Sequence, residues 1–535
     1  MNRQLKQISI YVIILLVGIY AGIKLSDFLS GTLFNKELKK FGDVLRYTEE
    51  FYIDSVKSKK LVEEAIKGMF NGLDPHTVYI PAAEQEASEE QFRGNFEGIG
   101  IEFQIIKDTI VVVSPITGGP SEALGILSGD RIIKINKESA VGLSNDKVIR
   151  KLRGKKGSAV NVTIQRPGTS SLKEFTIIRD KINIYSVDVS LMYDDSIGYV
   201  YLTRFSETST AEIADALNGL QKQGMKALIL DLRNNPGGYE NQASKIADFF
   251  IDGNKLIVYN KGRIENFNEE YRAGKNFPYE KIPLIILVNR GSASASEIVA
   301  GAVQDWDRGL IIGETTFGKG LVQTPILLED NSAIRITVAK YFTPLGRSIQ
   351  RDYSDKKKYY DEITAGNVDV EDLSNQTEIV NDSIKPKFTT GKGRIVFGGG
   401  GITPDYIVET GKETDFSFEL RRNNAYYPFV RKFMDAHGSR INSVYKDNIQ
   451  KFVDEFEVTE SVLSEFINFI RILKINFDSD SYNKDKNLIK MRIKAFIARD
   501  LFKDKGWYSV LLKSDNQFLK AVNMIDEAKK MIEAN

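Results

Sequence analysis

The chain has 535 residues and a formal net charge of +1, with 27% charged and 42% hydrophobic residues. This length predicts roughly three or four domains, and the balanced charge argues against nucleic acid as a partner. The absence of cysteine excludes thiol catalysis, disulfides and cysteine zinc sites, and the two histidines, His76 and His437, are too few for a histidine-rich metal centre. A hydrolase of this composition would use one of these histidines, a lysine, a carboxylate or a terminal amine as its base.

Residues 1–34 contain a candidate membrane segment. Arg3 and Lys6 precede an apolar run over residues 8–23. A spanning helix needs about 20 apolar residues, and a signal-peptide core has roughly 7–15. Residues 18–22 make a poor cleavage site, so we predict an uncleaved anchor, with a cleaved signal as the alternative. Either alternative places the rest of the chain outside the cytoplasm, in the periplasm or cell envelope.

Two further segments precede the centre of the chain. Residues 35–93 show helical spacing of apolar positions, broken at Asp74-Pro75-His76-Thr77. His76 is interpreted there as a loop-packing or capping residue. Residues 94–182 predict a separate β-rich unit, with strands over 101–106 and 109–114 and a helix over 144–152.

Residues 183–410 alternate strands and helices. The apolar segments 227–232 and 283–288 are typical of strands buried on both faces, and helices are predicted after each of them. This alternation of strands and helices predicts a mostly parallel sheet. Residues 351–392 predict a polar surface insertion, and residues 411–535 predict a C-terminal helical domain without a recognisable motif.

The junction at Ser294 carries the first chemical signal. It joins a buried strand to a helix, whose N-terminal N–H groups could hold a developing oxyanion. The alternative is structural, because Ser294 and Glu297 also form a capping-box pattern. Ser292 and Ser296 are competing hydroxyls that spacing alone does not exclude.

Lys319 carries the second signal. It lies between Gly318 and Gly320, and a lysine acts as a base only if burial lowers its pKa toward 7–8. On a strand, Gln323 would share its face. The alternatives are a surface lysine in a glycine turn and a phosphate loop, and the latter lacks the required Ser/Thr after the lysine.

Residues 36–408 resemble the carboxy-terminal processing peptidases, also called tail-specific proteases. Five segments carry the resemblance: Leu73-Asp74-Pro75-His76, Phe96-Glu97-Gly98-Ile99-Gly100-Ile101, Asp231-Leu232-Arg233-Asn234-Asn235-Pro236-Gly237-Gly238, Ser292-Ala293-Ser294-Ala295-Ser296-Glu297-Ile298, and Gly313-Glu314 through Gln323. The resemblance implies a multidomain α/β protein with a crotonase- or Clp-like peptidase core. It also implies Ser294 as nucleophile, Lys319 as base and Gln323 as the supporting residue.

The same resemblance implies further site residues. The oxyanion donors would be the backbone N–H groups of Ala295 and of Gly237 or Gly238. Residues 94–182 would be a PDZ domain, in which the segment from Gly98 through Ile99 and Gly100 to Ile101 captures a substrate carboxyl end.

These inferences predict an envelope serine endopeptidase that cleaves proteins near their C-terminal tails, without metal or cofactor. Its partners would be unfolded or tail-bearing proteins and the membrane, and an adaptor protein or a second copy of the chain remains open. Two alternatives stay open as well. One is a non-catalytic PDZ scaffold or hydrophobic-ligand binder on the same fold, and the other is an anchored structural protein of the envelope.

Overall fold

The computed structural model describes residues 32–364 and 385–533, apart from residues 168 and 170, together with residues 15, 17 and 18. The anchor predicted within residues 1–34 therefore falls almost entirely outside the described residues, as do residues 365–384 of the predicted insertion. Within the described part of the chain, no helix is long and apolar enough to cross a bilayer.

The N-terminal region is helical, as predicted, with one unpredicted strand. Its elements are α1 (Thr32–Phe51), α2 (Ser58–Phe70), β1 (Val78–Ile80) and α3 (Ala82–Arg93). Strand β1 pairs antiparallel with β18 (Ala333–Phe342) in the following core. Three residues are too few to show a period-two pattern, so this strand depends on its tertiary partner. The pairing holds the preceding turn at Asp74-Pro75-His76 beside the core.

The β-rich unit is a curved antiparallel sheet with one main helix. Its elements are β2 (Asn95–Gly98), β3 (Ile101–Ile106), β4 (Thr109–Pro115), α4 (Pro120–Ala123), β5 (Arg131–Ile135), β6 (Glu138–Ser139), α5 (Asn145–Leu152), β7 (Ala159–Gln165), β8 (Leu172–Ile178) and β9 (Asp180–Asn183). The sheet order β3-β4-β5-β7-β8 leaves β3 at an edge. Val148 of α5 is buried with Val112 and Ile164 in the core of the unit. Strands β2 and β9 pair with each other and form a two-stranded neck to the rest of the molecule.

A six-stranded sheet forms the centre of the molecule. Its strands and covering helices are β10 (Val187–Met192), β11 (Ile197–Leu202), α6 (Ser209–Lys222), β12 (Ala227–Asp231), α7 (Glu240–Asp248), β15 (Leu284–Val288), α8 (Ala295–Asp305), β16 (Leu310–Gly313) and β21 (Tyr406–Ile407). Only β10 is antiparallel to its neighbour, and the other pairs are parallel. Every residue of β12 and β15 is buried, which explains their continuous apolar runs.

A second sheet lies beside the first and carries the N-terminal strand. It contains β1, β13 (Leu256–Gly262), β14 (Glu270–Arg272), β17 (Leu321–Leu327) and β18. Strands β17 and β18 form an antiparallel hairpin. They are followed by α9 (Lys356–Thr364) and by the small ribbon of β19 (Lys387–Thr389) and β20 (Ile395–Phe397).

The C-terminal part is helical, as predicted. Its helices are α10 (Asp415–Arg422), α11 (Tyr426–Tyr445), α12 (Ile449–Glu455), α13 (Glu460–Ile472), α14 (Ser479–Leu511), α15 (Asn516–Asn523) and α16 (Ile525–Glu533). Helices α10 to α14 enclose their own core around Phe466 and Ile489. Phe518 of α15 instead packs edge-on against Tyr199 of the six-stranded sheet, with ring centroids 5.4 Å apart. The last two helices therefore attach the C-terminal part to the core, together with Tyr508 of α14, whose ring lies 5.4 Å from that of Tyr201.

Candidate active site

Ser294 lies at the turn between strand β15 and helix α8. Its φ angle is +55°, a strained value for a residue with a side chain and one that clusters at functional sites. Ser292 Oγ donates to the Leu232 carbonyl at 2.8 Å, and Ser296 Oγ donates to the Asn235 carbonyl at 2.9 Å. Both of these serines are fully buried, whereas Ser294 is partly exposed. The tertiary structure therefore separates the three hydroxyls that the sequence left in competition: two hold the turn, and one faces outward.

The glycine loop after β12 lies directly against this turn. A Cβ atom added to Gly237 would lie 2.8 Å from Ser294 Cβ and 3.0 Å from Ala295 N, so only glycine fits. The Gly237 N–H already donates to Asn235 Oδ1 at 2.9 Å. The N–H groups of Ala295 and Gly238 donate to no acceptor in the described part of the chain. Of the two glycines proposed from the sequence, Gly238 is therefore the one whose backbone N–H has no acceptor among the described residues.

Lys319 lies just before strand β17 and contacts Gln323, as predicted. Its Nζ donates to Gln323 Oε1 at 2.6 Å. Burial, reinforced by the positive charge of Arg335, lowers the pKa of Lys319 from 10.5 to about 8, because desolvation disfavours the ammonium. No hydrogen bond joins Lys319 Nζ to Ser294 Oγ among the described residues. The lysine is thus held by Gln323 in this structure.

Glu297 connects the turn of Ser294 to the loop of Lys319. Its fully buried carboxylate accepts from Ser294 N at 2.8 Å and from Lys319 N at 2.9 Å. It also accepts from Thr316 Oγ1 at 2.6 Å and from Gly318 N at 2.7 Å. Burial raises the pKa of Glu297 to about 7, against the lowering effect of these donors. The glutamate half of the predicted capping box is present, but the same carboxylate also fixes the second loop.

Tyr341 reinforces this connection from strand β18. Its hydroxyl lies 2.6 Å from the Lys319 carbonyl and 3.1 Å from the Ser294 carbonyl. The side chain is buried. Two main-chain segments that are distant in sequence are therefore held at one place by a buried carboxylate and a buried hydroxyl.

The turn around His76 adds a part of the site that the sequence interpretation missed. Gln323 Nε2 donates to the His76 carbonyl at 2.5 Å, and Tyr359 OH lies 2.8 Å from His76 Nε2. Asp74 accepts from the backbone N–H groups of His76 and Thr77, at 2.8 and 2.9 Å. Burial, with the charge of Lys319, lowers the pKa of His76 to about 4. The Asp-Pro-His-Thr segment was the available signal, but its sequence showed only a turn.

The β-rich unit has a glycine-containing loop at the edge of its sheet. Gly100 has φ of +72°, and the N–H groups of Ile99 and Gly100 donate to no acceptor within the described residues. The loop leads from Gly98 into the edge strand β3 through Ile101. Free backbone donors beside an open strand edge suit the capture of a peptide by strand addition. The structure thus brings together all four loop residues inferred from the sequence.

Comparison with known families assigns most of the chain. Residues 196–355 match the model of peptidase family S41, residues 98–177 match the PDZ domain, and residues 24–84 match the N-terminal domain of the activating protease CtpB. Residues 416–504 match a family of unknown function. The matched regions follow the same order along the chain as the units of the fold.

Individual relatives agree with these matches. The carboxy-terminal-processing protease of Bartonella bacilliformis is 39% identical over 59% of this chain and 73% of its own. The carboxy-terminal processing protease CtpA of Bacillus subtilis is 36% identical over 66% of this chain and 76% of its own. Among solved structures, the photosystem II D1 C-terminal processing protease is 32% identical, with a TM-score of 0.33, over 58% of this chain and 89% of that one.

The PDZ domain and the α/β core together define a PDZ-containing serine-type peptidase. The fold class expected from the sequence, with helical regions at both ends, is confirmed. The chain belongs to peptidase family S41, the carboxy-terminal processing proteases.

Proposed function

We propose that this protein is an endopeptidase with a Ser294/Lys319 dyad that cleaves proteins near their C-terminal tails. The observation that carries the proposal is the arrangement around Ser294. A strained, partly exposed serine lies against a glycine that tolerates no side chain, beside two unused backbone N–H groups. A lysine with a pKa lowered to about 8 is fixed to the same turn through Glu297.

In the proposed reaction, neutral Lys319 accepts the proton of Ser294 Oγ while Oγ bonds to the scissile carbonyl carbon. Lys319 Nζ must move toward Ser294 for this step, which substrate binding would favour, since catalytic contacts often tighten only in the complex. The resulting oxyanion accepts from the N–H groups of Ala295 and Gly238. Collapse breaks the peptide bond, and Lys319 returns the proton to the leaving amine. Water then hydrolyses the acyl-enzyme by the same route.

Gln323 and the PDZ loop have supporting roles in this proposal. Gln323 orients Lys319 through its Oε1 atom and is itself oriented by the His76 carbonyl. The loop from Gly98 to Ile101 captures the free carboxylate of the substrate tail, with the tail added along β3. The unused donors of Ile99 and Gly100 support this role.

A cell-envelope location completes the proposal. The apolar run over residues 8–23, with Arg3 and Lys6 before it, supports an N-terminal anchor with the catalytic body outside the cytoplasm. Membrane fractionation of the full chain and of a chain starting at residue 35 tests this part. A full chain that stays in the cytoplasmic fraction would contradict it.

A covalent serine-reactive probe tests the dyad directly. We expect labelling at Ser294, loss of labelling in Lys319→Ala, and full labelling in Lys340→Ala, which removes an exposed lysine of β18. Cleavage that survives Ser294→Ala would refute the nucleophile. Wild-type protein that is neither labelled nor active on any unfolded substrate would favour the alternative of a non-catalytic PDZ scaffold or ligand binder.

A further inference from the structure

The helical domain that matches a family of unknown function contacts both the PDZ domain and the peptidase core. We call helices α10 to α14, Asp415 to Leu511, the brace domain. On the core side, the chain continues into α15, where Asp515 pairs with Arg233 at 2.7 Å and Gln517 accepts from Arg233 at 3.0 Å. Arg233 directly precedes the Asn234-Asn235-Pro236-Gly237-Gly238 loop. The brace domain is therefore anchored close to the loop that faces Ser294.

The brace domain also contacts the PDZ domain through three ion pairs. Arg499 pairs with Glu102 at 3.0 Å, Lys503 pairs with Glu122 at 2.7 Å, and Asp435 pairs with Arg131 at 2.9 Å. The pairs reach three different segments of the PDZ domain, namely β3, the turn after β4, and β5. Contacts spread over three segments restrict rotation of the PDZ domain as well as its translation.

Close packing accompanies these charges. Gly129 has φ of +86°, and a Cβ atom there would lie 3.0 Å from the guanidinium carbon of Arg431. Asn424 Nδ2 donates to Gln104 Oε1 at 2.8 Å. Arg431 is itself fixed by Asp500 at 2.6 Å. The PDZ surface at Gly129 thus leaves room for the Arg431 side chain of the brace domain, and Asp500 fixes the position of that side chain.

Helix α14 of the brace domain is distorted where it contacts the PDZ domain. Lys503 has φ of +56° and ψ of −148° inside α14, a region that non-glycine residues avoid. A Cβ atom on Gly506 would lie 2.5 Å from the Ala498 carbonyl oxygen, so the two halves of the helix cross closely. The residue with the strained backbone is the one whose ammonium binds Glu122. Backbone strain of this kind persists where the surrounding contacts over-determine the conformation.

The position of these contacts leaves the peptide-binding edge open. Glu102 and Gln104 of β3 point toward the brace domain, whereas Ile101, Phe103 and Ile105 pack toward the PDZ core and α5, as strand alternation requires. No strand among the described residues pairs with the free edge of β3. The two-stranded neck of β2 and β9 connects the PDZ domain to the rest of the molecule, and Arg153 of the PDZ domain pairs with Glu90 of the N-terminal helix α3.

We infer that the brace domain fixes the orientation of the PDZ domain over the peptidase core, so that a captured tail is presented to Ser294 from a constant position. The inference rests on the proposed function only for its last clause. A fixed orientation raises the effective concentration of the tethered segment at the site when the geometry matches. Without the brace domain, the PDZ domain would rotate about the two-stranded neck of β2 and β9, and capture of the substrate tail would contribute less to cleavage.

The contact between the brace domain and the PDZ domain can be tested by reversing charges, because its three ion pairs are individually weak. All six side chains in the three pairs are partly exposed, and such pairs contribute about 0–1 kcal/mol each. Salt screens them further. Reversing two of the PDZ charges converts attraction into repulsion at two points, while the buried cores of both domains are left intact.

The experiment combines Glu102→Arg with Glu122→Lys in the full chain and measures hydrogen–deuterium exchange and cleavage. The exchange is followed in residues 95–115, which include the neck strand β2 and the strands β3 and β4. Cleavage is compared for one peptide with a free C-terminal carboxylate and for the same peptide with an amidated end. The matched control is Glu174→Lys, an exposed reversal on β8 of the same domain.

We expect exchange in residues 95–115 to rise severalfold and the preference for the free carboxylate, as a ratio of kcat/KM values, to fall about three- to tenfold. Adding Arg499→Glu and Lys503→Glu should restore both, whereas Glu174→Lys should change neither. Restoration would also show that the PDZ domain is still folded in the first variant. Unchanged exchange, failure of the swap to restore it, or raised exchange with an unchanged preference would each overturn the inference. If the wild-type protein shows no cleavage, the proposed function fails. The exchange measurement still decides whether the brace domain restrains the PDZ domain.

Discussion

The side-chain amide of Gln323 is bonded at both ends: Oε1 accepts from Lys319 Nζ at 2.6 Å, and Nε2 donates to the His76 carbonyl at 2.5 Å. The second bond fixes which end of the amide faces the lysine, because a flipped amide would place its NH2 group against the Lys319 donor and its oxygen against the His76 carbonyl acceptor. The N-terminal region thereby reaches the residue that holds the proposed base, although His76 and Gln323 are 247 residues apart in the sequence.

Replacing Gln323 with leucine should impair the base while preserving the fold. The Lys319 ammonium would lose its acceptor, so its charged form is less favoured and its pKa falls further. We expect a lower kcat, by about tenfold, together with an acid limb of the pH–rate profile displaced to lower pH. The measurement is kcat/KM from pH 6 to 10 for Gln323→Leu and for the control Thr324→Val, the next residue of β17. An acid limb that does not move would argue against this role of Gln323.

The wild-type pH profile follows from the pKa of Lys319. The base is active when neutral, and burial lowers its pKa from 10.5 to about 8. The rate should therefore rise with pH to a plateau, with a midpoint near 8. A midpoint near 10 would show that the lysine is not desolvated in solution.

The same pKa shift predicts an effect of Lys319 on stability. A lysine whose folded pKa is lowered destabilises the folded state at pH values below that pKa, and the penalty disappears as pH rises from about 8 to 10.5. We expect Lys319→Met to abolish cleavage and to raise the free energy of unfolding at pH 7 by about 1–3 kcal/mol. Denaturant unfolding at pH 7 and pH 10 checks this, since the gain should shrink at the higher pH. Lys340→Met, at an exposed position, should change neither quantity.

Glu297 should matter through its hydrogen bonds. In Glu297→Gln, one carboxylate oxygen becomes an NH2 group that faces backbone or hydroxyl donors, so two bonds are lost at a buried site. We expect a loss of about 2–3 kcal/mol in unfolding free energy and a reduced kcat, because the loops of Ser294 and Lys319 are released from each other. Thr316→Val removes one of the four donors and also the acceptor of Ile402 N, so it should cost about 1–3 kcal/mol as well. Equal stability of both variants with the wild type, measured by urea unfolding, would contradict this account.

Gly237 should tolerate no side chain without loss of activity. In Gly237→Ala, the new Cβ would be 2.8 Å from Ser294 Cβ, at a φ of +99° that alanine disfavours. Displacement of the serine turn from its donors should lower kcat by about 100-fold or more. The control is Gly274→Ala, where a Cβ would have no heavy atom within 4 Å. Nearly wild-type kcat in Gly237→Ala would mean that this loop does not shape the oxyanion site.

The sequence by itself determined the architecture and the candidates for the reactive residues. Continuous apolar runs at β12 and β15 identified buried parallel strands, because such strands have no polar face. The absence of cysteine and the scarcity of histidine limited the possible bases, and the family motifs selected Ser294, Lys319 and Gln323 as candidates. Local patterns suffice for these conclusions, since periodicity and motif spacing are properties of short segments.

Only the tertiary structure decided how these residues are supported. Spacing alone leaves Ser292, Ser294 and Ser296 equivalent, and the burial of Ser292 and Ser296 against Leu232 and Asn235 distinguishes them independently of the family motifs. Glu297 was interpreted as a helix cap, and its bonds to Gly318 and Lys319 became visible only in the folded chain. The contact of His76 with Gln323 and the ion pairs of the brace domain join segments hundreds of residues apart. No local pattern encodes such contacts, because they depend on where packing brings distant elements together.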